Sequence, residues 1–356
     1  MTSSTDHLPE ASTRRIIALA WPALLVLAAT PLYLLFDTAV VGRLGAQELA
    51  ALAAGATVLA TVTTQLTFLS YGTTARSARL FGAGRVADAI YEGVQATWVA
   101  LAVELSLAVG VFVAAPAIML ALTGSPEVAA EATKWMRVTC LSITPALIIM
   151  AGNGWLRGLS NTRLPLVFTL LGVVPMVITV PLAVHRWGLV GSAIANVLGE
   201  VIIASGFLWA LMRFWRVQGD DRSMSPRWTI IKPQLLMGRD LIARSLSFQV
   251  AFLSAAAVAG RIGPAALAAH QVMLQLWNFL TLVLDSVAIA AQSLVGAALG
   301  ARRIADARKT ARTVLKFSVV ASLILAAMFA VGAGMIPRWF TCLLYTSPSP
   351  RDGLLS

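Results

Sequence analysis

Val40–Ala51 reads VVGRLGAQELAA, and 218 positions later Val258–Ala269 reads VAGRIGPAALAA. The same shift lays GAGRVADA (82–89) on GARRIADA (300–307), identical at six of eight positions, with no gap between. Alanine-rich segments can resemble one another by chance. A shared Gly-Arg-x-Gly and a shared Gly-Ala-x-Arg-x-Ala-Asp-Ala at one constant offset argue against chance here. The chain carries an internal repeat, and the repeated unit decides the architecture.

The repeat lies in a very apolar chain. Its 356 residues are 58% hydrophobic and 12% charged, with a mean hydropathy of +0.80. A soluble domain carries about 25% charged residues, so the polar surface that would cover a globule is missing. A spanning helix needs about 20 mostly apolar residues. Such windows fall near 16–41, 48–75, 89–121, 128–154, 162–184, 188–212, 239–260, 264–299 and 311–337. The reading is an all-α polytopic membrane protein. Six windows lie between the two copies of the repeat; an even number preserves direction, so the repeat is parallel.

The net charge of +11 and pI near 10.8 would suggest nucleic acid in a soluble protein. Here the basic residues lie in loops, and they favour one side. Arg14, Arg15, Arg76, Arg79, Arg85, Arg157, Arg163, Arg213 and Arg216 belong to the N-terminal side, as do Arg302, Arg303 and Arg308. The opposite side holds Arg43, Lys134, Arg137, Arg186, Arg261 and Arg338. That bias places the N-terminus in the cytoplasm and the protein in the inner (plasma) membrane. Arg157, Arg163, Arg302 and Arg303 read as topology anchors. Cys140 and Cys342 cannot frame a disulfide scaffold.

The expected organisation is a cytoplasmic tail (1–15), a six-helix lobe (16–212), a cytoplasmic linker (213–238) and a partial three-helix lobe (239–341). Residues 342–356, at the end of RWFTCLLYTSPSPRDGLLS, read as a foreign or disordered tail of the kind a translated adaptor leaves.

Four acids fall well inside apolar windows: Asp37, Glu104, Glu200 and Asp285. A carboxylate at mid-membrane costs about 2.5 kcal/mol or more. Taken out of water it favours its neutral form, which suits a group that alternates between holding a proton and holding a cation. Asp37 follows Pro31 by six residues. Asn196 and Glu200 are four apart and share a helix face. Gln271, Gln275 and Asn278 form one stripe leading to Asp285. Gln65 sits among threonines in the second window. Tyr33 and Phe36 flank Asp37. Each has a structural alternative, from a headgroup contact for Asp37 to ordinary interhelical hydrogen bonds for the amides. Glu104 reads as structural. No Walker loop, metal cluster or nucleophile triad is present, so no enzymatic activity is expected.

Several stretches resemble multidrug and toxic compound extrusion (MATE) transporters. FDTAVVGRLGAQELAALA is similar to their first-helix signature. GWLRGLSNTRLPL (154–166) resembles the loop between their fourth and fifth helices, and RWGLVGSAIANVLGE (186–200) the start of their sixth. AAHQVMLQLWNFLTLVLDSVAIAAQSLVGAALG (268–300) resembles the DinF-like branch. The resemblance covers about residues 12–341. It implies a two-lobe, twelve-helix bundle, of which the second lobe is incomplete here, working by alternating access.

The implied function is export of organic, cationic or amphipathic compounds in exchange for H⁺ or Na⁺, by a monomer in the bilayer with no other cofactor. Asp37, Asn196 and Glu200 become ion-coupling candidates, with Asp37 at the family's first-helix acid position. Tyr33, Phe36, Gln65, Gln271, Gln275, Asn278 and Asp285 become substrate-cleft candidates. The family's fifth-helix ion ligands fall on Val174 and Ile178 when aligned through Gly188, which leans the reading towards H⁺. Two alternatives stand beside this one. One is a lipid-linked or polysaccharide flippase of the same superfamily; the other is a chain that, as given, does not transport.

Overall fold

The first apolar window forms a single helix, α1 (Thr13–Val41), unbroken through Pro22 and Pro31. Pro31 has no N–H, so the Leu27 carbonyl one turn back loses its helical donor. In the computed structural model, which describes residues 13–218 and 223–332, α2 (Ala46–Leu66), α3 (Phe68–Gly82), α4 (Val86–Thr123), α5 (Pro126–Thr139) and α6 (Ile143–Gly158) follow. Then come α7 (Arg163–Trp187), α8 (Leu189–Val217), α9 (Trp228–Ile262), α10 (Pro264–Gly300) and α11 (Ile304–Gly332). Residues 1–12 of the expected N-terminal tail, 219–222 of the linker, 333–341 of the partial lobe and all of the expected tail 342–356 lie outside the described residues.

These helices make nine crossings long and apolar enough to span a membrane, among the described residues. Two crossings are broken. α2 and α3 meet at Thr67, and α5 and α6 meet at the 3₁₀ turn Cys140–Ser142. The other crossings are single helices. α8 runs to Val217 and α9 starts at Trp228, so both helices extend into the segment 213–238.

Hydropathy does not distinguish the inside of such a bundle from its outside, because helices buried in lipid are apolar all round. Leu35, Val113, Leu182 and Leu253 are all exposed. The interior is a cluster around Trp135, Met136, Leu147 and Met119, and a second around Trp155, Phe207 and Ile90. α7 lies along α8, α3 packs on α4 and α6, and α1 packs on α7.

The repeat is visible in the backbone. At the end of α3, Ala83 N–H bonds Arg79 C=O, Gly84 N–H bonds Phe81 C=O, and Arg85 N–H bonds Leu80 C=O. At the end of α10 the same three bonds recur, each shifted by 218: Ala301 to Ala297, Arg302 to Leu299, Arg303 to Ala298. Gly84 (φ 75°) is matched by Arg302 (φ 58°), a left-handed residue without glycine's freedom.

α10 ties the second half to the first, packing on α1 and α3. A Cβ on Gly82 would fall 1.8 Å from Ala297 O, and one on Gly300 would fall 1.9 Å from Arg79 O. Small residues let the two helices touch backbone to backbone. Beside this seam, Ile16 and Leu19 of α1 pack with Val287 and Leu294 of α10 and Val314 of α11. Residues 223–227 lie on one face of α4: Tyr91 Oη, Gln95 Nε2 and Trp98 Nε1 donate to the carbonyls of Ser223, Ser225 and Met224 at 3.3, 3.0 and 2.7 Å. All of these contacts sit at the end of the bundle that holds the start of α1. Towards the other end, most of α9 beyond Arg244 and of α10 up to Phe279 is exposed. The halves are joined at one end and part at the other.

Gly82→Val is expected to destabilise the protein by about 1–3 kcal/mol through overpacking, read as a lower melting midpoint in detergent. Gly110→Ala, inside α4 where a Cβ meets nothing within 4 Å, is expected not to lower the midpoint. Equal midpoints for the two variants would remove the seam from the account.

Candidate functional site

Asp37 is carried by α1 and is 3% exposed. Ser192, near the start of α8, donates to its Oδ2 at 2.7 Å, and Trp135 of α5 directs its indole N–H at Ser192 Oγ from 3.5 Å. Trp135 fits because α2 carries Gly55 opposite it; a Cβ there would lie 2.5 Å from the ring. Asp37 Oδ1 has no hydrogen-bond partner. A headgroup contact to Arg43 is therefore not what holds this side chain.

Glu200 lies two turns further along α8, about 12 Å from Ser192 at 1.5 Å per residue. Ser142, in the 3₁₀ break between α5 and α6, sits against its carboxyl, and its Oε2 has no partner. Tyr33, one turn before Asp37, is buried with an unpartnered hydroxyl within electrostatic reach of both acids. A buried acceptor without a donor costs about 1–3 kcal/mol, and such violations concentrate at sites that act.

Asp37, Tyr33, Asn196 and Glu200 share one cavity of about 380 Å³ inside the first six crossings. Its walls include Leu27 and Thr30 of α1, Thr67 at the α2–α3 break, Met150 and Asn153 of α6, and Met176 of α7. Both helix breaks touch this site, one through Thr67 and the other through Ser142. Irregular backbone at membrane depth is tolerated where it lines a cavity.

The other expected cleft residues lie elsewhere. Phe36 packs into the core cluster beside the cavity. Gln65 donates to Gln249 Oε1 at 3.0 Å and lines a larger space of about 1140 Å³ between α2, α4 and α9. Gln271, Gln275 and Asn278 are exposed on the first half of α10 and do not line the smaller cavity. Asp285 accepts from Tyr71 Oη at 3.3 Å, at the contact between α10 and α3. Tyr71 lines the cavity, so Asp285 touches its edge through that ring.

Val174 and Ile178 are 54% and 62% exposed and point away from the cavity. The wall of α7 is Thr169, Val173 and Met176. The structure thus places a different face of this helix inward, and that face carries one oxygen.

Arg157 corrects the sequence reading. Taken there as a loop anchor, it lies on the last turn of α6, is 5% exposed, and lines the cavity. Its Nη1 donates to Ser70 Oγ at 3.4 Å, and its carbonyl accepts from Ser293 of α10 at 2.5 Å. The apolar window of the sequence ends at residue 154, one turn short of it. The signal was Gly154 with Gly158, which bring α6 against Thr73 and Ser77 of α3, and Asn153 with Arg157 at the same spacing on the adjoining face.

Ser192→Ala is expected to cost about 1.5–3 kcal/mol by stripping Asp37 of its donor. Added to Asp37→Asn, it is expected to cost less than the two singly, a coupling read by a double-mutant cycle of unfolding in detergent. Strict additivity would mean that the pair does not interact.

Comparison with known proteins places this geometry. The chain is 27% identical to Protein DETOXIFICATION 44, chloroplastic, of Arabidopsis thaliana, over 92% of this chain and 65% of that protein. It is 27% identical to DNA damage-inducible protein F of Escherichia coli over 93% and 73%. With a probable multidrug resistance protein NorM of Bradyrhizobium diazoefficiens the figures are 29%, 82% and 64%. The chain thus spans about two thirds of the length of these relatives. A MATE crystal structure in the bent conformation matches with a TM-score of 0.86 at 22% identity, over 96% of this chain and 77% of the other, and carries the fold. The family model MatE matches residues 22–184 and 241–342, most of the sequence, and the chain belongs to that family.

Proposed function

We propose that the full-length protein is a secondary antiporter that exports organic, cationic or amphipathic compounds in exchange for H⁺ or Na⁺. One observation carries the reading: a buried carboxyl, Asp37, with one oxygen held by Ser192 and the other unpartnered on a cavity wall. A group this costly in an apolar bundle is a functional candidate by default. Protonated, it is neutral and adds little charge to the cavity. Deprotonated, it offers a cation its missing partner. One carboxyl serving both ion and substrate makes the two compete, and competition is the basis of exchange.

Asn196 and Glu200 extend the site along α8 as a second polar step. The inward wall of α7 supplies Thr169 but no acid or amide. A hard cation wants several oxygens, so H⁺ is the favoured coupling ion. Two halves joined at one end and parted at the other match one state of an alternating-access cycle, with the α3–α10 seam as the part that must open. The loop charges favour an N-terminus in the cytoplasm and an inner-membrane location. The protein acts as a monomer and performs no enzymatic step. The flippase reading calls for a basic cavity, and two acids against one arginine favour it less.

Efflux of a fluorescent organic cation from a pump-deficient host, driven separately by pH and Na⁺ gradients, tests the reading. Asp37→Asn at equal membrane abundance is expected to lose at least about tenfold in rate, the equivalent of about 1.4 kcal/mol in the coupled step. Asn196→Val and Glu200→Gln are expected to lose less. Wild-type efflux by Asp37→Asn would remove Asp37 from the mechanism.

A further inference from the structure

Arg157 is a buried cation without an ion pair among the described residues. Among the described residues no carboxylate lies within 4 Å of its guanidinium, while the ion pairs that do form lie elsewhere, such as Arg76 with Glu92 at 2.6 Å. Its side-chain hydrogen bond goes to Ser70 Oγ, at the long distance of 3.4 Å. Asp285 is within electrostatic reach, but its Oδ2 takes the Tyr71 hydroxyl, and Arg244 of α9 competes for the same charge. Guanidinium has five donors in a planar fork. Burying one without a carboxylate costs several kcal/mol unless something else answers it.

The cavity contains the reason. α1 lines it from Val26 to Asp37, about 16 Å of helix at 1.5 Å per residue. α6 lines it from Ala146 to Arg157. α1 is the first crossing and α5–α6 the fourth, so they run in opposite directions. Asp37 and Arg157 each end their helix's lined stretch, and therefore mark opposite ends of the cavity. Glu200 lies between them, two turns along α8 from the Asp37 partner Ser192. The acids offer unpartnered acceptors, Asp37 Oδ1 and Glu200 Oε2; the arginine offers unused donors. The walls between are Met150, Met176, Val173 and Ile149.

We propose that this cavity is bipolar and takes extended amphipathic zwitterions, with the ligand ammonium at the Asp37 end and its carboxylate on Arg157 at the other. Arg157 is thus a specificity-determining residue. The proposal rests on the antiporter reading and narrows its substrate class. A bidentate guanidinium–carboxylate pair is among the stronger polar contacts available, and the apolar middle accommodates the ligand body.

The test uses the full-length protein in a pump-deficient host, with a fluorescent zwitterion whose ammonium and carboxylate lie at opposite ends of an elongated body, and its methyl ester, which is a cation only. Arg157→Gln is expected to lower zwitterion efflux about tenfold or more while ester efflux stays within about twofold. Arg157→Lys, which keeps the charge but not the fork, is expected to recover part of the loss. An equal fall for both probes in Arg157→Gln, at matched abundance and melting midpoint, would make Arg157 structural and overturn the proposal. So would unchanged zwitterion efflux. Wild-type efflux of the ester but not the zwitterion would overturn it while leaving the antiporter reading intact. Efflux of neither probe would count against both.

Discussion

The energetic constraint that organises this bundle is the cost of charge in an apolar interior. Each carboxylate or guanidinium taken from water demands a partner, and its neighbours are arranged around that demand. Asp37 has Ser192, oriented in turn by Trp135, which α2 accommodates by having Gly55 opposite the ring. Glu200 has Ser142, available because the fourth crossing breaks at Cys140–Ser142. Arg157 has Ser70 and the edge of the Tyr71–Asp285 pair. In each case the partner satisfies part of the group and leaves the rest facing one cavity. Elsewhere the chain meets the demand fully: Glu92 receives two bonds from Arg76 and one from Gln234. Among the described residues the buried carboxylate oxygens left without a partner are Asp37 Oδ1 and Glu200 Oε2, and both residues line this cavity.

The second constraint is how two halves can be joined and still move. The contact between them combines backbone approach at small residues along α3 and α10 with an apolar cluster of α1, α10 and α11 beside it. Arg157 ties the two features together. Its side chain lines the cavity of the first half, while its carbonyl takes the Ser293 hydroxyl from the second. A ligand that draws on the guanidinium acts on the same residue whose carbonyl makes a bond across the seam, which gives site and seam a shared element.

Much of this was legible in the sequence. The repeat, the nine crossings and the parallel relation follow from a constant offset and from hydropathy, which a bilayer makes decisive. Asp37, Glu200, Asn196 and Tyr33 were legible because polar groups in apolar runs stand out, and the structure brings them to one cavity. What was not legible is direction. Gln271, Gln275 and Asn278 form a stripe, but a stripe does not say which neighbour it faces, and here it is exposed. Val174 and Ile178 sit on the outward side of α7, because an alignment through one glycine does not fix helix rotation. Arg157 was hidden by its position at a window's edge, where basic residues ordinarily anchor topology. The close approach of Gly154 and Gly158 to α3, with Trp155 and Leu156 packed in the core, keeps that turn inside the bundle.

The central claim is that the unpartnered oxygen of Asp37 is exchanged between a proton and a cationic group. Proton release measured with a pH-indicator dye, when a cationic amphiphile is added to the purified full-length protein in weak buffer, tests it directly. The account predicts release by the wild type and none by Asp37→Asn. Equal release by both, or binding without release by the wild type, would contradict it.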